Sequence, residues 1–413
     1  MTRLTAIVPE SARNIAFLGH SNLGGRPDGV QVMVNKGYAF VGHPFSGGAS
    51  VVDVRDPRRP KLVNYLPTHP RSWSLHCQSH GDLVLVAEEF NFIAEDLRAS
   101  GRASHAGPSG SVAKFGQRGA DYTAGLRVYD ISRPADPQPI GFMEMEGLGL
   151  HRVWWAGERY AYASALLDGF ADHILIVIDL QAPERPRDVG RWWLPGMWQA
   201  GGETHDRPGR FALHHAVVAD QVAYCAWRDA GVILIDVADA AAPKFISQRN
   251  CCPPFAGGTH TALPLPDRDL LLVADEALDD ISVEPMKYIW IFDIREPKNP
   301  VSISTLPTPS DQDYKVKGGQ FGPHNLWENR PDAFVSSNII FATYQNAGVR
   351  VMDIVDPFQP KEIAYFVPPQ PERLVDPRPG TKKILHSADV YVEHDGRMYV
   401  TDYNAGLYIL QMT

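Results

Sequence analysis

The sequence predicts an all-β fold, a seven-bladed β-propeller of four-stranded blades. Three observations predict it: an apolar strand ending in aspartate recurs six times, a proline-containing turn follows each copy, and the copies are 49–77 residues apart. That spacing has room for about four short strands and shows no convincing helical pattern. Repeats of four short strands are typical of propeller blades.

The repeated strand is an apolar segment such as "VILIDV". Its closing aspartates are Asp53, Asp130, Asp179, Asp236, Asp293 and Asp353. A proline stands seven residues after each aspartate, and another stands four residues after it in every copy except the one with Ala240. An aspartate side chain can cap a turn, and proline stops strand pairing. Each blade is therefore predicted to contain this strand, a turn and a further short strand.

The two ends of the chain are predicted to share one blade. A seventh copy, "DYNAGLYILQM", keeps Gly406 but has Gln411 in place of the aspartate, and no fourth strand follows it. The opening segment "ARNIAFLGH" has the pattern of that strand. We expect residues 12–20 to complete the blade of residues 386–412, because closure protects sheet edges that would otherwise be exposed. Residues 1–413 then form a single domain, and six blades is the alternative.

Composition restricts the classes of partner. The chain has 413 residues, a net charge of −9 and no basic block, which argues against nucleic acid. No run of about 18 apolar residues predicts a membrane span, and the opening segment lacks a secretory signal pattern. Its four cysteines have no zinc-finger spacing. We expect a cytoplasmic protein with reduced thiols that acts on a small molecule, and a homo-oligomer is compatible with this interpretation.

Histidine recurs at the start of the predicted inner strands. The segment before each "YAYAS"-like second strand should line the central channel, and six of the seven units begin it with histidine, whereas the first has Asp28 near that place. The histidines are His76, His151, His214 with His215, His260, His324 and His386. Because these strands run in the same direction along one axis, we expect their imidazoles to converge at one mouth of the channel. A ring of hydrogen bonds to neighbouring backbone is the structural alternative.

Converging imidazoles predict a metal site. Imidazole suits iron, copper, zinc and nickel. Since no carboxylate accompanies the repeated histidines, iron or copper is expected ahead of magnesium or calcium, with manganese or zinc as further candidates. Three or four ligands with the other histidines behind them, or a cluster of two or three ions, are the options for so many rings.

Long insertions fall on the same predicted face. Residues 89–123 and 277–287 interrupt corners between second and third strands, and residues 195–211 and 307–323 lie between blades. Variable loops on one face mark it as functional, and residues 101–120 are expected to form either a lid or an ordinary surface loop. The candidate catalytic residues of this face are Glu89, Glu203, Glu276, Tyr344 and Tyr403, whose side chains suit proton transfer.

The strands and the D-x-x-x-P turns resemble the LVIVD-repeat family over most of the chain. The repeat and the axial histidines are also similar, more weakly, to propellers of the selenium-binding protein or methanethiol oxidase type. The first resemblance implies a propeller and says little about activity. Repeats of that family tend to carry aspartate where six units here carry histidine, which makes the replacement a functional signal.

Three functions follow as hypotheses. The first is a metal-dependent oxidoreductase or oxygenase acting on a small organic molecule, because most known propellers with axial histidines, such as carotenoid-cleaving oxygenases, hold redox metals. The second is a metal-dependent lyase or hydrolase, in which the ion polarises a carbonyl or activates water. The third is a non-catalytic interaction scaffold.

Overall fold

Antiparallel sheets built from consecutive strands make up the computed structural model, which describes residues 7–94, 121–204, 209–280, 284–378 and 380–413. The first strands are β1 (Ser11–Arg13) and β2 (Ile15–Ser21). The first sheet contains β3 (Val32–Asn35), β4 (Tyr38–Gly42), β5 (Ala49–Asp53) and β6 (Lys61–Leu66). Its strands pair in sequence order, so this sheet forms locally along the chain.

The next two groups of strands join into one nine-stranded sheet, because Gly149 pairs with Glu89. One group is β7 (Ser72–Trp73), β8 (Cys77–His80), β9 (Leu83–Phe90), β10 (Gly125–Asp130) and β11 (Gln138–Glu144). The other is β12 (Gly149–Trp154), β13 (Tyr160–Leu166), β14 (Ile174–Asp179) and β15 (Arg187–Trp192).

Two four-stranded sheets follow. They contain β16 (His215–Ala219), β17 (Val222–Ala226), β18 (Val232–Asp236) and β19 (Lys244–Arg249), then β20 (Thr259–Leu265), β21 (Leu270–Asp275), β22 (Ile289–Asp293) and β23 (Val301–Thr305). Short helical turns occur at Leu23–Gly25, Gln199–Gly201, Pro266–Arg268 and, as helix α1, Tyr314–Lys317. None of the helices in the described part of the chain is long and apolar enough to cross a membrane.

The last two sheets each take in a strand from the start of the chain. Strands β24 (Ile339–Thr343), β25 (Val349–Asp353) and β26 (Lys361–Val367) are completed by β1, and β27 (Ser387–Val392), β28 (Arg397–Asp402) and β29 (Gly406–Met412) by β2. In the second case Ile15 lies opposite Met412. The opening segment is therefore divided between two sheets. The division falls at Asn14, whose φ of 56° interrupts the extended backbone, a conformation that asparagine tolerates better than most residues.

The sheets form a ring. First strands of successive sheets lie side by side, from β3 through β8, β12 and β16 to β20, and β27 lies beside β3 and closes the circuit. Between β20 and β27, the segment at Leu326 supplies the inner edge, since Leu326 pairs with Ala342 of β24. The fold is thus a β-propeller, with the first strands around its axis.

The repeated aspartates end six third strands: β5, β10, β14, β18, β22 and β25. The Oδ1 of each accepts a hydrogen bond from the backbone N–H two residues later, at 2.6–3.1 Å. This local bond turns the chain out of the strand, and the prolines that follow prevent further pairing. Strand β14 is buried along its whole length, because neighbouring sheets cover both of its faces.

Candidate metal centre

Six histidines line one cavity at an end of the axis, and its volume is about 70 Å³, enough for a few water-sized groups. They are His76, His151, His173, His214, His260 and His324. All except His151 are at most 3% exposed. Five of them start the inner segments of consecutive blades, which explains why side chains so distant in sequence meet.

The first group of rings comes from three neighbouring blades. One ring nitrogen each from His76, His151 and His214 lies within 4.8 Å of the others. The Nδ1 of His151 is 3.0 Å from the Glu89 carboxylate, and the Nδ1 of His214 is 2.9 Å from the carbonyl oxygen of His260. Donation of each Nδ1–H to these acceptors leaves the Nε2 lone pair of both rings free, the usual arrangement of a metal-binding histidine.

The second group combines two histidines with a carboxylate. The Nε2 of His260 is 3.5 Å and the Nε2 of His324 3.3 Å from oxygens of Glu276. Arg228 also pairs with this carboxylate. The rings of His214 and His260 stack with centroids 3.6 Å apart, so the two groups are direct neighbours.

Burial keeps most of these rings uncharged. It is the largest cause that lowers the pKa of His76, His214 and His260 well below the ordinary value of 6.5. Nearby positive groups act in the same direction, for example Arg152, whose guanidinium is 3.3 Å from the Nδ1 of His76. Only the neutral imidazole binds a metal ion, so burial favours the ligand form of these rings at neutral pH. In His76, the Nδ1 accepts from Arg152, so the Nε2 carries a proton that a metal ion would have to displace.

Glu89 connects several side chains by hydrogen bonds beside the first group of histidines. Its carboxylate accepts bonds from Trp73 Nε1 at 2.9 Å, His173 Nε2 at 2.6 Å and His151 Nδ1 at 3.0 Å. Burial alone would raise the pKa of Glu89, but His173 and His151 hold it at about 2. Glu89 is therefore ionised at neutral pH and orients His151.

His173 has a carboxylate at each ring nitrogen. Its Nδ1 is 2.7 Å from Asp172, which is in turn held by Arg210 at 2.8 and 3.1 Å. Although burial opposes a charged ring, Glu89 and Asp172 raise the pKa of His173. With both nitrogens donating, this ring has no lone pair for a metal. Sequence reasoning missed it because it precedes β14, a third strand, and belongs to no repeat.

Part of the cavity wall is apolar. Side chains that contribute to it include Val30, Trp73, Leu75, Phe92, Ile93 and Leu278. Phe92 and Ile93 belong to the insertion 89–123, while its segment 101–120, expected as a lid or surface loop, lies outside the described residues. The cavity thus places neutral imidazoles against a surface suited to an apolar molecule.

Two of the histidines singled out in the sequence lie apart from these groups. His215 follows His214 directly, so its side chain points to the other side of the strand, where its Nε2 is 3.4 Å from Glu328. Burial lowers the pKa of His215 to about 3. His386 stacks on Tyr403 with centroids 4.0 Å apart and lines a neighbouring cavity.

Three of the five candidate catalytic residues lie at the histidine cavity, and two lie elsewhere. Glu89, Glu276 and Tyr403 are at the histidine cavity, as described. Tyr344 is buried in an apolar cluster near Phe321. Glu203 accepts backbone N–H groups of Gly196 and Trp198 at 2.8 and 3.1 Å and so shapes its own loop. In the first blade, Asp28 anchors a loop by accepting the N–H groups of Phe45 and Ser46.

No protein-family model matches the sequence, and no curated protein sequence matches it either. Solved structures are similar in fold. The periplasmic gluconolactonase of Pseudomonas aeruginosa has a TM-score of 0.55 at 12% identity, over 91% of this chain and 99% of its own. The β-propeller domain of Myceliophteria thermophila Cps50 (Swd1) has a TM-score of 0.55 at 10% identity, covering 94% and 97%. A hypothetical selenium-binding protein from Sulfolobus tokodaii has a TM-score of 0.54 at 14% identity, covering 91% and 90%.

At such low identity these similarities establish the β-propeller fold alone. The function of this chain has to be argued from its own side chains.

Proposed function

We propose that this protein is a metal-dependent oxidoreductase that holds a transition-metal ion at the mouth of the propeller axis and acts on a small organic molecule. One observation carries the proposal: nitrogens of His76, His151 and His214, from three adjacent blades, converge within 4.8 Å. Imidazole suits iron, copper, zinc and nickel, and the redox function that we propose requires iron or copper among these.

Hydrogen bonds behind the histidine rings also fit a metal site. Two of the three rings have their Nδ1 bonded to a carboxylate or a carbonyl oxygen, the contact that fixes the tautomer of metal-ligating histidines. Ligand atoms of a tetrahedral ion with bonds of roughly 2.0–2.1 Å are about 3.3 Å apart. The ring nitrogens, which lie within 4.8 Å of one another, would have to approach by up to about 1.5 Å to reach that separation.

Redox chemistry fits the site better than proton abstraction. Efficient general bases have pKa values near the working pH. In contrast, the pKa of Glu89 is about 2, and that of Glu276 is held well below its usual range, against the effect of burial, by charged neighbours that include Arg228. A metal held here would supply electron transfer or Lewis acidity. These carboxylates orient ligands and stabilise charge instead of removing protons from a substrate.

The apolar wall provides the substrate surface in this proposal. Trp73, Phe92 and Leu278 would exclude water from the ring nitrogens and contact the carbon skeleton of the substrate. Tyr403 borders the same cavity, and burial raises the pKa of its hydroxyl, so it stays protonated and can donate a hydrogen bond.

We further infer seven blades and membership of the LVIVD-repeat family, on the strength of the repeated aspartate turns and the ring of first strands. The acidic composition supports a cytoplasmic protein whose partner is a small molecule, not a nucleic acid or a membrane. A homo-oligomer is compatible with this proposal.

Metal analysis of purified protein tests the proposal. His214→Gln and His215→Gln are a matched pair, because the two residues are adjacent and both buried, but only His214 belongs to the first group. We expect wild type and His215→Gln to contain the same amount of iron or copper and His214→Gln to contain less, because it loses the ion of the first group, with thermal unfolding confirming that both variants fold. Absence of metal in all three would overturn the proposal in favour of an interaction scaffold.

A second measurement separates redox from hydrolytic or lyase activity. The metal-loaded wild type should have an optical or electron paramagnetic resonance signal that disappears on reduction and returns with oxygen. Turnover of a substrate with zinc as the only metal would favour the lyase or hydrolase instead.

A further inference from the structure

We infer that the protein binds a second divalent ion of the first transition row between His260, Glu276 and His324, next to the first metal position. This inference rests on the proposed function and specifies the nuclearity of the same centre. Two histidines and one carboxylate with open positions are the ligand set typical of iron(II) sites.

The distances around Glu276 are those of ligands around an ion. Its oxygens are 3.3 Å from His324 Nε2 and 3.5 Å from His260 Nε2, close to the ligand–ligand separation of about 3.3 Å in tetrahedral zinc-type geometry. Charge-assisted hydrogen bonds are shorter, about 2.7–2.9 Å. Glu89 provides an internal comparison, because its bonds to His173 and His151 are 2.6 and 3.0 Å long.

Hydrogen bonds at the Nδ1 atoms of His260 and His324 also support an ion beside Glu276. The Nδ1 of His324 bonds to the carbonyl oxygen of Ala388 and must carry the proton. The Nδ1 of His260 is 3.0 Å from the Thr261 hydroxyl. That hydroxyl has two acceptors of its own, Asn325 Oδ1 at 3.4 Å and the carbonyl oxygen of His324 at 3.5 Å, so it is able to accept the Nδ1–H of His260. In the neutral rings, both Nε2 lone pairs therefore face a carboxylate. Such an arrangement is repulsive unless a proton or a metal ion lies between them.

Arg228 completes the surroundings of this position. It pairs with the Oε2 of Glu276 and is nine-tenths buried. A guanidinium bonded to a ligating carboxylate orients it and leaves the other oxygen free, as outer contacts of metal ligands commonly do. Oε1, which faces His324, is that free oxygen.

The two positions are close enough to act together. His214, from the first group, and His260, from the second, stack with centroids 3.6 Å apart, and His214 donates its Nδ1–H to the backbone of His260. Two ions in these positions would be neighbours in one cavity with one apolar wall, so a substrate there would meet both.

Titration of metal-free protein with cobalt(II), followed by desalting and metal analysis, tests this inference. Glu276→Gln keeps the size of the side chain and a hydrogen-bond acceptor for Arg228 but removes the charge, and His324→Ala removes a ligand. We expect two ions per chain in wild type and in the control His386→Ala, whose ring lies beside the cluster but in neither group. One ion is expected in Glu276→Gln, His324→Ala and His214→Gln, and none in a His214→Gln, His324→Ala double variant.

The outcomes distinguish this inference from the proposed function. A wild type that saturates at one ion, lost in His214→Gln but retained in His324→Ala, would overturn the second position and leave the first. A single ion lost only in His324→Ala and Glu276→Gln would support the position at Glu276 and overturn the first. Two ions retained in both Glu276→Gln and His324→Ala would refute the ligand assignment. Circular dichroism melting of each variant verifies that the loss of metal does not come from unfolding.

Discussion

Replacing Glu89 by glutamine should reveal how strongly the buried carboxylate beside the histidines is held. Glu89 is fully buried and accepts hydrogen bonds from Trp73, His151 and His173. The difference between its ordinary pKa of 4.5 and the value of about 2 in the folded protein corresponds to roughly 3 kcal/mol at about 1.36 kcal/mol per pH unit. We expect metal-free Glu89→Gln to lose about that much free energy of unfolding at pH 7.

The pH dependence gives the prediction its sign. Because folding lowers the pKa of Glu89, its contribution is complete above pH 4.5 and is lost as the pH falls toward 2. Once the carboxyl is protonated, the wild type should resemble the amide variant. The stability difference should therefore shrink to roughly 1–1.5 kcal/mol at pH 3.

Urea unfolding of both proteins at pH 7, 4.5 and 3 measures this difference. Glu144→Gln is the control, because Glu144 is exposed at the end of β11, and a surface change of this kind should alter stability by less than about 0.5 kcal/mol. Equal stability of Glu89→Gln and wild type at pH 7 would refute the reasoning. A difference that stays constant from pH 7 to pH 3 would refute the electrostatic part of it.

Two further predictions concern buried groups elsewhere. Cys77 and Cys225 are fully buried, and burial raises the pKa of Cys77 to about 12. A thiol reagent should therefore label only Cys251 and Cys252 until the protein is unfolded. Fast labelling of all four thiols in the folded protein would contradict this prediction. A Cβ at Gly231, where φ is +80°, would lie 2.1 Å from the carbonyl oxygen of Arg249. Gly231→Ala should therefore cost about 2 kcal/mol or more in denaturant unfolding, clearly exceeding Gly202→Ala, which has a φ of +82° and open space around it.

The strand pattern could be predicted because its causes are local. Each repeated aspartate accepts a backbone N–H only two residues away, so residue type and spacing contain all the information that the turn needs. The placement of the opening segment was harder to predict from the sequence. Its division between two sheets at Asn14 depends on pairing with β26 and β29, more than 340 residues later in the chain.

The site was predictable where it follows the repeat. Histidines at equivalent positions of successive blades point to the same axis, so His76, His151, His260 and His324 meet as the pattern implies. Which of two adjacent histidines turns inward depends on the register of β16, and the sequence alone leaves His214 and His215 open. His173 had no such signal, since it precedes a third strand and lies at no repeated position, and its partner Asp172 lies outside the repeat as well.

Glu89 and Glu276 show why residue type alone did not assign a role in this site. Both are buried glutamates beside two histidines, and both are suited to proton transfer by sequence. Glu89 faces ring nitrogens that donate to it at 2.6 and 3.0 Å, which satisfies its charge within the protein. Glu276 faces nitrogens at 3.3 and 3.5 Å, and the Nδ1 proton of His324 lies on the far side of its ring, toward the carbonyl oxygen of Ala388. In our proposal, the position of the proton on each histidine, set by the oxygen behind the ring, therefore separates Glu89, a hydrogen-bond acceptor, from Glu276, a metal ligand.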